Sequence, residues 1–186
     1  MKKAIHLSTP LTNEVLQTLE IGDRVLISGI IYSARDAAHK LLVELLEQGG
    51  QLPIELQGQI IYYVGPTPPK PGKVIGAAGP TTSYRMDPYA PMLIRNGLKG
   101  MIGKGPRGPA VIEAIKKYGA VYLAATGGIG ALISKTIKKS EVVAYEKLGT
   151  EAIRELVVEN FPAVVVNDFK GNDFYREGRK KYQEME

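Results

Sequence analysis

The chain has 186 residues, 44% hydrophobic and 23% charged, the balance of a globular protein able to bury one sizeable core. A net charge of +5 allows an anionic substrate or a nucleic acid, but the basic residues are scattered and no nucleic-acid-binding signature accompanies them. The absence of cysteine excludes disulfides and thiolate metal ligation by this polypeptide.

No stretch approaches the roughly 18 apolar residues of a membrane span, and MKKAIHLSTP lacks the apolar centre of a leader. The expectation is a soluble, cytoplasmic protein with no membrane and no nucleic-acid partner. Along the chain, KAIHLS predicts a short strand, and Thr12 or Asn13 caps a helix running to Leu19. DRVLISGIIY, rich in β-branched residues, predicts a second strand. It leads into ARDAAHKLLVELLEQGG, where Ala37, Ala38, Leu41, Leu42, Leu45 and Leu46 recur at helical spacing and Gly49-Gly50 closes the helix. QIIYYVGP is a strand, stopped by TPPKPGK, whose prolines lack backbone donors.

GKVIGAAGPTTSYR reads as strand then loop, and DPYAPMLIRNG as a helix with Pro88 at its first turn and Gly97 as terminator. KGMIGKG is strand then loop, PAVIEAIKKYG helix, AVYLAATGG strand and IGALISKTIKK helix. SEVVAYEKLG, TEAIRELVVENF and PAVVVNDF continue the alternation of strand and helix, and GRKKYQEME is a solvated charged tail. The pattern predicts one α/β domain over 1–175 with a mainly parallel sheet, followed by a tail at 176–186.

In such sheets ligands bind beyond the carboxyl ends of the strands. The loops at those points are Ser33-Ala34-Arg35-Asp36, Pro80 to Asp87, Lys104 to Gly108 and Thr126-Gly127-Gly128. All carry glycine, hydroxyl or cationic residues, and three place a Lys or Arg at a helix entrance. A cation there opposes the helix dipole, which suggests a bound anion meeting both the cations and the free N–H groups. Each loop also has an ordinary reading. Arg35 and Asp36 can form a surface ion pair, and Asp87 can cap a helix beside a solvated Arg85. Lys104 can be a surface lysine, and Gly127-Gly128 a tight turn.

Standard catalytic patterns are missing: GKGPRGPA is not a Walker loop, and there is no GxSxG. His6 and His39 have no paired metal-ligand spacing, and His39 is expected at the surface or an interface. Ser33, Asp36 and His39 crowd one helix entrance and do not make a triad.

SGIIYSARDAAHK, GPTTSYRMDPY, GMIGKGPRG, AVYLAATGG, YEKLGTEAIREL and FPAVVVNDFKGNDFY together resemble the β subunit of two-subunit class I, iron–sulfur fumarate hydratases. They are equally similar to the L-tartrate dehydratase β subunit and to the C-terminal half of single-chain class I fumarases. The likeness runs from about residue 5 to 175, and GPTTxxRMD is its most specific motif. It implies a swivelling β/β/α three-layer domain with a mainly parallel central sheet. It further implies a hydro-lyase acting on a dicarboxylate, active only with an α subunit whose three cysteines hold a 4Fe–4S cluster. The implied assembly is a hetero-oligomer, such as a dimer of heterodimers, with no metal held by this chain.

Carried over by position, Arg35 and Arg85 match carboxylate-binding arginines and Lys104 a substrate-binding lysine. Thr81 matches a hydroxyl in proton transfer, with Thr82 the alternative for that role, and Thr82, Gly127 and Gly128 belong to the substrate-binding set. Tyr84 stands where many relatives have a small residue, and Pro106 where several have Asn, which bears on pocket shape. L-tartrate dehydration, or a non-catalytic anion-binding regulatory subunit, remain alternative readings.

Overall fold

A computed structural model describes residues 3–183. Seven strands form one sheet: β1 (Ile5–Ser8), β2 (Arg24–Ser33), β3 (Ile60–Tyr62), β4 (Gly100–Gly103), β5 (Val121–Ala124), β6 (Ile137–Ala144) and β7 (Ile153–Asn167). Among the described residues six α-helices accompany them: α1 (Asn13–Gln17), α2 (Asp36–Glu47), α3 (Ala90–Arg95), α4 (Pro109–Tyr118), α5 (Gly130–Ile133) and α6 (Phe174–Gln183).

β1 to β5 pair in parallel in chain order, while β7 pairs antiparallel with both β5 and β2. The strands β2, β3, β4, β5 and β7 therefore close into a five-stranded barrel, with β1 and β6 attached outside the ring. The fold is α/β as expected, but the sheet is mixed and closed. Four of its pairings are parallel and three, all made by β7, are antiparallel. The closure comes from β7, which runs on through a bend at Asn160 (φ 52°) and so serves β6 and β2 first, then β2 and β5.

Strand alternation divides the core in two. Ile60, Tyr62, Val64, Ile102, Val121, Leu123, Leu156, Phe161 and Val165 join the cluster inside the ring, which continues to Leu16 and Leu19 around α1. Their neighbours Ile61, Tyr63, Met101, Tyr122 and Val166 join the outer cluster, with Leu42 of α2, Leu93 of α3 and Ile115 of α4. The central strands are thus buried on both faces, which is why they read as continuous apolar runs.

Local signals behave as physics dictates. Thr12 caps α1 by accepting from the Val15 N–H at 3.4 Å. Gly119 ends α4 in the left-handed region (φ 68°), which a side chain would strain, and Lys99 Nζ donates to the carbonyls of Tyr118 and Gly119 at 2.8 Å each. Other expectations are corrected. KVIG forms no strand, and Pro88 lies in the turn before α3, whose early proline is Pro91. The helix expected over IGALISKTIKK stops at Ile133, and after a 3-10 turn Ile137 starts β6. TEAIRELVVENF is strand rather than helix, because Leu156 and Val158 fill the ring. Of the expected charged tail, residues 176–183 are helical, within α6 (Phe174–Gln183).

Candidate active site

β2, β3, β4 and β5, being parallel, deliver their following loops to one end of the barrel. β3 and β4 separate beyond Tyr63 and Gly103, and residues 81–83 occupy the opening. Thr81 N donates to the Tyr63 carbonyl (2.7 Å), Ser83 N to the Lys104 carbonyl (2.9 Å) and Lys104 N to the Thr81 carbonyl (3.3 Å). Thr82 and Lys104 thereby form a parallel bridge. Lys104 also reaches the glycine loop, its Cδ lying 3.9 Å from where a Cβ on Gly127 would stand. Ala78, held by a Tyr62 hydroxyl bond of 2.5 Å to its carbonyl, donates its N–H to Gly130 (3.1 Å) and closes the cluster from the other side.

Arg35 caps α2 and Arg85 lies in the 3-10 turn Ser83–Met86, on a different loop. Asp36 joins them: Arg85 Nη2 donates to Oδ2 at 2.7 Å, and Arg35 Nη2 lies 3.6 Å from Oδ1. Arg35 also pairs with Glu151 at 3.1 Å, and Glu151 accepts from Ala37 N at the start of α2 (3.4 Å). The two arginines, the threonines and the lysine thus belong to one connected cluster. Arg85, Lys104, Thr126, Gly127 and Gly128 are exposed, and Thr81, Thr82 and Arg35 half-buried. The result is an open ledge; the clefts beside α6 and around residues 67–77 include none of Arg35, Thr81, Arg85 and Lys104.

The ordinary readings resolve residue by residue. Arg35 and Asp36 do form an ion pair, yet Asp36 is shared with Arg85. Asp87 caps no helix of its own: its Oδ2 accepts from Gly108 N (2.6 Å), ahead of α4. Lys104 precedes α4 by several residues, so the helix-dipole argument applies to Arg35 and not to the lysine.

Beneath the ledge lies a buried polar layer that the sequence did not announce. Arg107, its side chain fully buried, donates from Nε to Asp87 Oδ1 at 2.7 Å and lies between the rings of Tyr63 and Tyr122, about 5 Å from each centroid. Burial alone would loosen its proton, but Tyr63, Asp87 and Tyr122 more than offset this and hold its pKa above the ordinary value. Tyr122, outward-facing on β5, bonds Ser83 Oγ (2.9 Å) and the Gly105 carbonyl (2.8 Å); burial above all pushes its pKa up.

His39 is corrected outright: it is wholly buried, edge-on to Tyr63, with Nδ1 2.9 Å from the Arg35 carbonyl. The carbonyl only accepts, so Nδ1 carries the proton. Burial lowers the pKa to about 4, leaving the ring neutral. The signal was present in its position beside Ala38 and before Leu42 on the apolar stripe.

A family profile described as "Fumarase C-terminus" matches residues 1–178. The chain belongs to the Fumarase C-terminus family. It is 40% identical over 178 residues to "Fumarate hydratase 1, mitochondrial" of Leishmania major, covering 93% of this chain and 32% of that protein. It is 39% identical over 178 residues to "Fumarate hydratase class I, anaerobic" of Escherichia coli, with the same two coverages. The chain thus spans about a third of the length of these relatives. With "Putative L(+)-tartrate dehydratase subunit beta" of Methanocaldococcus jannaschii the likeness is near full length: 38% over 180 residues, 94% of this chain and 92% of that one. The family resemblance read from the GPTTSYRMD region is therefore correct.

The chain's own residues do not suit an iron–sulfur cluster. It has no cysteine, and among the described residues no group of three or more His, Asp or Glu side chains could hold a metal ion. Nor is any helix among them long and apolar enough to cross a membrane.

Proposed function

We propose that this chain is the β subunit of a cytoplasmic class I hydro-lyase that reversibly hydrates fumarate to (S)-malate. An α subunit carrying the 4Fe–4S cluster completes the site, in a hetero-oligomer such as a dimer of heterodimers. The observation that supports this best is the gathering of Arg35, Thr81, Thr82, Arg85 and Lys104 from three separate loops onto one exposed ledge. An open ledge of cations grips a carboxylate poorly in water, so a covering surface is required to exclude solvent and strengthen every charge interaction. As one end of a closed barrel, the ledge can swivel over a partner as a single piece.

Removing the C–H proton of malate places a second negative charge on the neighbouring carboxylate; in the hydration direction the addition of hydroxide to fumarate creates the same charge, and protonation of carbon discharges it. Fixed cations at those oxygens stabilise the transition state more than the ground state, and this difference accelerates the step. Arg35 and Arg85 take that role, arginine offering a planar fork to each carboxylate. Lys104 adds a third donor, and the Gly127-Gly128 backbone lines the substrate beside it. The Thr81 hydroxyl passes the proton, with Thr82 contributing to binding. Its own pKa is far too high for it to act as a base, so the acid–base group belongs to the partner.

L-tartrate is the second candidate substrate, favoured by the near full-length likeness to the Methanocaldococcus protein. Anaerobic co-expression with a cysteine-bearing partner, followed by fumarate and L-tartrate assays, separates the two. In that complex Arg85→Ala should lower kcat/KM about 10²–10³-fold, as the loss of an oxyanion donor does. Normal turnover of Arg85→Ala would refute the assignment.

A further inference from the structure

Thr82, half-buried, and Lys104, exposed, are held together by a bridge only one residue deep. So short a ladder specifies its register weakly, and a slip of one residue would turn each side chain to the opposite face. Three backbone bonds, Thr81 N to the Tyr63 carbonyl, Ser83 N to the Lys104 carbonyl and Lys104 N to the Thr81 carbonyl, set the register, and a side-chain contact that holds both loops would lock it.

We infer that the Tyr122 hydroxyl makes this contact as a positioning group, stapling Ser83 of the threonine loop to Gly105 of the lysine loop. The inference rests on the proposed role of those loops in binding and proton transfer. Tyr122 stands on β5, below both loops, with its ring wholly buried. Its hydroxyl lies 2.8 Å from the Gly105 carbonyl and 2.9 Å from Ser83 Oγ. A carbonyl only accepts, so the single phenolic proton goes to Gly105 and the Ser83 hydroxyl donates to the Tyr122 oxygen.

The two bonded residues flank the bridge, Ser83 directly after Thr82 and Gly105 directly after Lys104. One oxygen atom therefore locks the register of both strands of the bridge. The neighbouring residue is shaped to permit it: a Cβ on Gly103 would stand 2.0 Å from Ser83 Oγ, so only glycine lets the serine descend to the tyrosine. Burial above all pushes the phenol's pKa up, so it remains a donor at neutral pH. Tyr122 touches no reacting atom in this scheme. It acts through Ser83 and Gly105.

The test is Tyr122→Phe, which removes one oxygen from a packed ring, measured in the complex with the cluster-bearing subunit and in the full chain alone. The expected result is a fall in kcat of about 10- to 100-fold, the scale of a roughly 1 Å misplacement of reacting groups, with KM little changed. Hydrogen exchange at the Ser83 and Lys104 amides should accelerate. Ser83→Ala, which loses one of the two bonds, should fall part of the way, and the double variant should be no worse than Tyr122→Phe. Leu16→Ala, a cavity far from the ledge in sequence and packed around α1, lowers stability and serves as the control that leaves kcat and these two amides unmoved.

Full kcat in Tyr122→Phe overturns the inference, and so does unchanged amide exchange, whatever the activity. The underlying reading fails differently. If Lys104→Ala retains full turnover, the ledge is not the substrate site, and exchange alone then decides whether Tyr122 locks the register.

Discussion

The buried pair Asp87–Arg107 is the sharpest test of how this end of the barrel is held. Its two members are unequally placed: the Arg107 side chain has no exposed surface, while Asp87 retains 20%. Asp87→Ala strands a fully buried guanidinium, already with Nη2 unpartnered, leaving it the Tyr63 hydroxyl at 3.3 Å and the Met101 sulfur. Orphaning a buried charge in this way costs about 3–5 kcal/mol. Arg107→Leu is milder. The Asp87 carboxylate keeps the Gly108 N–H at 2.6 Å and its access to water, so the loss is about 1–3 kcal/mol.

For a chain of this length each kcal/mol moves the midpoint by about 2–4 °C, giving a drop of about 6–20 °C for Asp87→Ala. Thermal unfolding of the full chain by calorimetry provides the measurement. Asp87→Ala/Arg107→Leu, with no stranded charge, should unfold at a higher temperature than Asp87→Ala alone. If Asp87→Ala proves no worse than Arg107→Leu, or the double variant is simply additive, the stranded-charge argument fails.

Two further outcomes follow from the same layer. His39, neutral in the fold with a pKa of about 4 against an ordinary 6.5, binds its proton more readily when unfolded; stability is intact above pH 6.5 and declines as pH falls towards 4. The full decline is worth about 3 kcal/mol, and His39→Leu, at a buried position facing Tyr63, Tyr89, Arg107 and Asp36, should flatten that part of the denaturant-measured pH profile; an unchanged profile refutes it. Gly103→Ala would set a Cβ 2.0 Å from Ser83 Oγ and 2.9 Å from Tyr63 Cδ2, so about 1–3 kcal/mol of stability should be lost along with turnover in the assembled complex. Wild-type stability and activity in that variant would show that the serine has another place to go.

The sequence was informative where a signal is local. α2 and α4 were legible because an apolar stripe ends at a glycine, and α1 because Thr12 caps it. The site loops were legible because glycines, hydroxyls and cations follow the strands that line one end of the barrel. The closure was not, since it depends on β7 pairing with β2 and β5 over long separations in sequence, and no local pattern encodes such a partner. TEAIRELVVENF misled because its apolar residues fit helical spacing too, and only ring packing at Leu156 and Val158 decides for strand. Arg107 lay within a loop already singled out, but GPRGP says nothing of depth. Tyr122 offered a usable clue: in a strand apolar on both faces, a tyrosine hydroxyl must find a partner inside.

Electrostatics explains why a ledge with three cations is stable. A guanidinium at the N-cap of α2 opposes the helix dipole, yet Asp36 and Glu151 sit at the same helix start, where carboxylates are favourable. They offset both the dipole and the mutual repulsion of Arg35 and Arg85. Arg35, Arg85 and Lys104 against Asp36 and Glu151 leave one formal positive charge, enough to attract an anion and too little to splay the loops apart. Each guanidinium has five N–H donors, so holding Asp36 by one edge leaves others for a ligand. Asp36 therefore works as a spacer between the arginines, fixing where the two forks point.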